Sequence, residues 1–299
     1  MANTSLTARP EPAAARAGFY APEVAFDRPI PKVPAAMFWT EREAAFAADA
    51  ATGMIACDLA AQLASPWPAT TPTMLARYVV VRANEALDHQ LNSSGEVYYV
   101  LRGAGETACA GERFAWRQGD SFCLPGGEAV THQASAHAIL MQVTNEPELA
   151  YLRAGPGETQ IEPTLFSGEV TDQHLRNVHG RNGEQLAAGK SVIFLTAMMA
   201  ERRVTTPTLL AAVNTLEPGA DQRPHHHSSA ALTLPIVGEG VYSQLDGERI
   251  DWMPDTLFVT PPNAEHSHHN RGPEMMRSFV VQDTGLHSQL RTTNFAWTG

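Results

Sequence analysis

"GAGETACAGERFAWRQGDSFCLPGG", residues 103–127, and "GEGVYSQLDGERIDWMPDTLFVTPP", residues 238–262, carry one pattern twice. The pairs Gly103/Gly238 and Gly105/Gly240 lie 135 residues apart, and Gly111/Gly247, Glu112/Glu248, Arg113/Arg249, Trp116/Trp252 and Pro125/Pro261 lie 136 apart. A single-residue insertion reconciles the two spacings, and a compensating deletion sets Asp120 opposite Asp255. Similarity at this density marks an internal repeat. Around both copies the chain breaks into short β-branched and aromatic runs, such as "ARYVVVRA", "EVYYVLRG", "VIFLTAMM" and "TLFVTPP", punctuated by Gly and Pro. Strands at that spacing argue for two β-sandwiches or barrels in tandem, an all-β fold.

The boundaries expected are an N-terminal arm and helix over 1–69, a first barrel over 70–152, a connecting segment over 153–204 and a second barrel over 205–299. Within the arm, "FWTEREAAFAADA" (38–50) reads as a helix capped by Thr40, with Glu43 three residues on. The opening twenty residues, rich in Ala, Pro and Arg, lack the apolar core of a signal peptide and read as a mobile arm. "RAGPGETQIEPTLFSGEV" (153–170) reads as the link between copies.

The 299 residues hold 43% hydrophobic and 18% charged side chains, enough for a globular core, and no apolar run approaches the ~18 residues of a membrane span. A formal charge of −11 argues against a nucleic-acid partner, which needs a basic footprint. Three cysteines (Cys57, Cys109, Cys123) without C-x-x-C spacing suggest neither a disulfide framework nor a zinc cluster, so a reducing cytoplasm is the expected compartment. Exposed sheet edges need covering, which points to a homodimer or homotetramer.

The second copy carries a run of histidines in "QRPHHHSSAALTL" (222–234). Such a run is a metal site, a tag fragment or a solvated loop, and only ligands elsewhere decide among them. In a strand, residues i and i+2 share a face, so His225 and His227 can point inward while His226 points out. "DTLFVTPPNAEHSHHN" (255–270) supplies His266, and an antiparallel barrel can set that strand beside the first. His225, His227 and His266 are therefore the expected metal ligands. Imidazole suits iron, copper, nickel or zinc alike.

Gly219, five residues, His225-x-His227, then Gly238, followed by Asp255, Pro261, His266 and Asn270, resembles the paired motifs of the cupin superfamily. Where most cupins place a Glu, the chain has Ala231 and Leu232. A three-histidine cupin resembles the gentisate and salicylate 1,2-dioxygenase family of ring-cleaving bicupins, as do "PATTPTMLARYVVVR", "LDGERIDWMPDTLFVTPP" and "FVVQDTGLHSQLRT". The resemblance spans roughly residues 66–295. It implies two jelly-roll cupin barrels, Fe(II) as cofactor, and a small aromatic acid or phenol and O2 as substrates.

Departures accompany the likeness. The first copy keeps His89 and Glu96, but Leu91 and Val130 stand at ligand positions, and His132 matches His268. In the family the working iron usually sits in the first barrel; here the ligands are in the second. The family's carboxylate-binding Arg is replaced by Thr233. Arg223 and Arg277 are the remaining candidates for an anionic group, with surface solvation as the competing fate. His268, two residues beyond a ligand, reads as a proton-transfer residue or as a structural histidine, because an unperturbed imidazole titrates near neutrality. Asn270 is expected to tie down its turn, and Trp116 and Trp252 to pack in the core. Three functions remain open: a ring-cleaving dioxygenase, a metal-dependent isomerase or lyase using Lewis acidity, and a non-catalytic ligand-binding bicupin.

Overall fold

The computed structural model describes residues 12–24, 30–180 and 189–298. Residues 1–31 form a unit of their own, with short 3-10 turns at Ala14–Arg16 and Pro22–Val24; the first eleven residues of the expected arm lie outside the described residues. The chain from Lys32 onward forms a second unit.

Its first half contains α1 (Trp39–Phe46), β1 (Gly53–Ala56), α2 (Ala60–Leu63), β2 (Leu75–Val81), β3 (Ala86–His89), β4 (Gly95–Arg102), β5 (Ala104–Cys109), β6 (Glu112–Arg117), β7 (Ser121–Pro125), β8 (Val130–Ala134), β9 (Ala138–Thr144) and α3 (Glu146–Leu152). The second half runs through β10 (Thr164–Phe166), α4 (Gly168–His179), β11 (Lys190–Phe194), β12 (Leu210–Leu216), β13 (His225–His227), β14 (Ala231–Val237), β15 (Val241–Leu245), β16 (Glu248–Asp251), β17 (Phe258–Thr260), β18 (His266–Asn270), β19 (Met276–Gln282), α5 (Thr284–Leu290) and β20 (Phe295–Trp297). Thr40 does not cap α1. It lies inside the helix, whose preceding residue is Phe38, and no side chain caps that end. The stretch expected to link the copies is itself built: β10 pairs with β7, Ser167 caps α4 by accepting the Val170 N–H, and β11 pairs with β12.

Four sheets make the two barrels. The first barrel closes the sheet β1-β2-β9-β4-β7-β10 against β3-β8-β5-β6, and the second closes β11-β12-β19-β14-β17 against β16-β15-β18-β13-β20. The repeat is three-dimensional as well as sequential: β3-β8-β5-β6 and β13-β18-β15-β16 have one order. The segment leading each copy pairs with the other barrel. β10 sits beside β7, and Met37 bridges Phe258 of β17 at the equivalent place.

The two larger sheets lie back to back, which explains their sequences. β2 and β9 are apolar along nearly their whole length because one face meets the central core and the other a barrel interior. The outer sheets show period-two burial instead, as in β15. The central core joins Val80, Val97, Tyr99 and Met141 of the first barrel to Leu232, Leu234, Phe279 and Val281 of the second. Tyr99 and Phe279 meet at 5.0 Å between ring centroids. Phe279→Ala should therefore lower stability by about 3–5 kcal/mol, read as a denaturant midpoint shift, whereas Ile193→Ala, on a half-exposed side chain, should stay within ~0.5 kcal/mol.

One polar device recurs in both barrels. Trp116 Nε1–H donates to Thr107 Oγ1 (2.8 Å), which lies 2.7 Å from His132 Nδ1; Trp252 Nε1–H donates to Ser243 Oγ (2.8 Å), which lies 2.8 Å from His268 Nδ1. Burial, and secondarily the charge of His89, pushes His132 down to about 3. A histidine near 6.5 when unfolded and about 3 when folded binds more protons unfolded, so its contribution is intact above pH 6.5 and is lost as pH falls. His132→Gln should flatten stability against pH between about 6.5 and 4, a window in which the wild-type residue contributes a slope approaching about 1.4 kcal/mol per pH unit.

Candidate metal centre

The histidine run forms β13, whose position between two neighbours sets the site. His225 pairs with His266 of β18 on one side, and the strand pairs with β20 on the other, His225 opposite Trp297 and His227 opposite Phe295. Strand alternation separates the run as its pattern requires. His225 and His227 line an interior cavity, and His226, facing Ala296, does not.

His225, His227 and His266 come together, with one ring nitrogen from each within 4.8 Å of the others. Their backs are all held alike. His225 Nδ1 lies 2.9 Å from the Arg223 carbonyl, His227 Nδ1 2.8 Å from that of Ser229, and His266 Nδ1 2.9 Å from that of Ala264. A carbonyl only accepts, so each Nδ1 carries the proton and donates it, leaving Nε2 with its lone pair. Burial keeps the rings uncharged. It lowers His225, takes His227 to about 4 and takes His266 to about 2, with the neighbouring imidazoles adding to the shift. Three neutral nitrogens held by their backbone partners fit a divalent first-row ion.

The cavity beside them measures about 290 Å³ and is also lined by His268, Asn214, Thr233, Thr260, Val280, Gln282 and Phe295. The strand registers show how the second barrel differs from the first at this cavity. Pairing places Glu96, Tyr98, Gln142 and Arg77 of the first barrel where the second has Ala231, Thr233, Val280 and Ala212. In the first barrel Glu96 Oε2 accepts from Gln142 Nε2 (2.8 Å) and lies 3.0 Å from His89 Nε2, and Tyr98 stacks on Phe122 at 4.5 Å. Long side chains fill one interior, and short ones leave space in the other.

The other expected site residues divide. His268 and Thr233 reach the cavity. Ser243 Oγ accepts the Trp252 N–H and lies 2.8 Å from His268 Nδ1, which anchors the back of that ring. Burial moves His268 down to about 3, so the expectation of an imidazole titrating near neutrality is corrected: it is a neutral hydrogen-bonding group at physiological pH. Arg277 is not at this cavity. Its guanidinium pairs with Asp172 at 2.6 Å and lines a separate cleft with Tyr99 and Arg176. The Arg223 side chain does not line the cavity either and lies over the Trp297 ring at 5.0 Å. Asn270 holds its turn, donating to the Leu216 and Glu274 carbonyls and accepting from Gly272 N–H. Trp116 and Trp252 are buried. Asn214, Thr260, Gln282 and the rim residues His287 and Phe295 were not singled out in the sequence. The repeat register carries a signal for Asn214, Thr260 and Gln282, and no motif marks Phe295.

Comparison with known proteins agrees with this geometry. Residues 212–282 match the cupin domain model. The chain is 29% identical over 178 residues to a 5-aminosalicylate 1,2-dioxygenase of Comamonas sp., covering 54% of this chain and 46% of that protein. It is 35% identical over 85 residues to a gentisate 1,2-dioxygenase of Streptomyces sp., covering 28% and 24% respectively. The matches thus span less than half the length of these curated relatives. The solved salicylate 1,2-dioxygenase of Pseudaminobacter salicylatoxidans superposes with a TM-score of 0.75 over 91% of both chains at 15% identity, which speaks for the fold. No described helix is long and apolar enough to cross a membrane. Residues 212–282 thus match a cupin domain, and the chain has the two-barrel fold found in the solved salicylate 1,2-dioxygenase.

Proposed function

We propose that His225, His227 and His266 hold Fe(II) and that the protein is a ring-cleaving dioxygenase, inserting both atoms of O2 into a gentisate-, salicylate- or hydroquinone-like ring. The observation that carries this reading is the convergence of three lone-pair nitrogens on a cavity the size of one substituted ring. The names of the relatives, which act on gentisate and 5-aminosalicylate, support the same class. Held by His225, His227 and His266, the iron would supply redox chemistry toward O2.

The chain's own residues do the rest. His268 offers its uncharged ring to the cavity and orients a substrate oxygen or hydroxyl through a neutral hydrogen bond. Thr233, Asn214 and Thr260 line the wall formed by the larger sheet, while Phe295 and Val280 give the ring apolar surface and exclude water. A cytoplasmic homodimer or homotetramer, with no nucleic acid or membrane partner, belongs to the same proposal. The half-exposed Ile193, Leu195 and Met198 offer apolar surface for such contact.

His227→Ala should reduce bound metal from about one ion per chain to a small residue, and His226→Ala should leave it intact, as measured by elemental analysis. Equal loss from both would contradict the strand alternation. For activity, anaerobically purified protein reconstituted with Fe(II) is mixed with gentisates, salicylates and hydroquinones. Oxygen consumption with a new near-ultraviolet chromophore is expected. Turnover without oxygen uptake would replace the reading with Lewis-acid chemistry, and binding without turnover would replace it with a ligand-binding bicupin.

A further inference from the structure

The cavity also defines the charge of its guest. The histidine triad comes from the smaller sheet, on β13 and β18; the facing wall comes from the larger sheet, on β12, β14, β17 and β19. Among the described residues lining it there is no Asp, Glu, Lys or Arg. The register makes this contrast specific. Arg77 and Glu96, the charged residues on the equivalent wall of the first barrel, are matched by Ala212 and Ala231. In the second barrel that wall instead holds polar side chains with no hydrogen-bond partner among the described residues: the Asn214 carboxamide and the hydroxyls of Thr233 and Thr260, both threonines only 2% exposed.

We infer that the cavity takes an aromatic ring with two adjacent oxygen donors and no further anionic group, its far side read by neutral hydrogen bonds from Asn214, Thr233 and Thr260. The inference rests on the metal-site reading above. A doubly charged ion is balanced by the two donors of a salicylate- or catechol-type ring. A third anionic group would then be buried against hydroxyls and a carboxamide with no Lys or Arg among the described lining residues to meet it, an arrangement that costs much more than an unpaired neutral group. A hydroxyl, amino or carboxamide substituent can use the unpartnered wall, because it gives and takes hydrogen bonds without carrying charge.

The test is binding to the Zn(II)-loaded protein, followed by calorimetry, so that oxygen chemistry plays no part. The probes are salicylate, salicylate with a further carboxylate para to its hydroxyl, and the carboxamide counterpart of that second compound. The further carboxylate should weaken binding at least about 30-fold, and the carboxamide should restore it to within about threefold of salicylate. Thr233→Lys, which places a cation on the wall, should improve binding of the dicarboxylate relative to salicylate at least about tenfold. Equal or tighter binding of the dicarboxylate by the wild-type protein overturns the inference while leaving the metal centre standing, and this holds whether or not the variant folds. If the wild-type chain takes up no zinc, or takes it up equally with His227→Ala, the metal reading fails and the inference falls with it.

Discussion

Three hydrogen bonds from imidazole to backbone decide what the second barrel can do. A free histidine offers either ring nitrogen and turns about two side-chain bonds, so three of them brought together by a sheet need not form a site. Here the carbonyls of Arg223, Ser229 and Ala264 each take an Nδ1–H, and the three Nε2 atoms are left with their lone pairs. All three bonds are local, made to a residue two positions away in the chain. The tautomers are therefore set by the strand ends themselves and need no distant partner. Burial then removes the competing proton, since a charged ring would be desolvated beside two others.

The first barrel shows what the same frame does without those ligands. It keeps His89, the Trp116–Thr107–His132 arrangement and the strand order, yet longer side chains stand at its interior positions. The difference lies in a few wall positions. Arg77, Glu96, Tyr98 and Gln142 bond to one another or to nearby partners at the positions the second barrel fills with shorter side chains, although Glu96 Oε1 is left without a partner among the described residues. A barrel of this size is filled by its own side chains unless those are cut short, and Ala212, Ala231, Thr233 and Val280 are the cut. Two barrels of one topology thus differ in the volume of the side chains at matched interior positions.

Much of this was legible in the sequence because periodicity and spacing report local geometry. The repeat gave the two-barrel plan, and the i, i+2 rule separated His225 and His227 from His226 without coordinates. Thr40 misled for a physical reason: the chain enters α1 directly from the Met37–Phe258 bridge, and helical geometry begins at Trp39, so the hydroxyl sits two residues past the cap position. The arginines misled because reach cannot be read from a strand pattern. Arg277 lies on β19 beside Pro235 and Val237, where Asp172 of α4 meets it, while cavity residues Val280 and Gln282 lie farther along the same strand. His268 lines the cavity, and the downward move of its titration was not legible, since no sequence shows how completely a ring will be buried.

The strap formed by β20 is the one element of the second barrel's outer sheet with no counterpart in the first. It pairs with the strand that carries two of the three histidines, and its rings crowd their edge: Phe295 lies 5.1 Å and Trp297 5.7 Å from His225 between centroids, with the two aromatic rings 4.9 Å apart at 90°. An edge strand of three residues is otherwise a weak element, with unpaired backbone groups along one side and little to restrain a ligand. Pairing with β20 occupies that side of β13, while β18 meets the other through His266. The ligand strand becomes an internal strand of its sheet. That is a reason for the tail to be docked where it is, because a metal ligand can be no better positioned than the backbone that carries it.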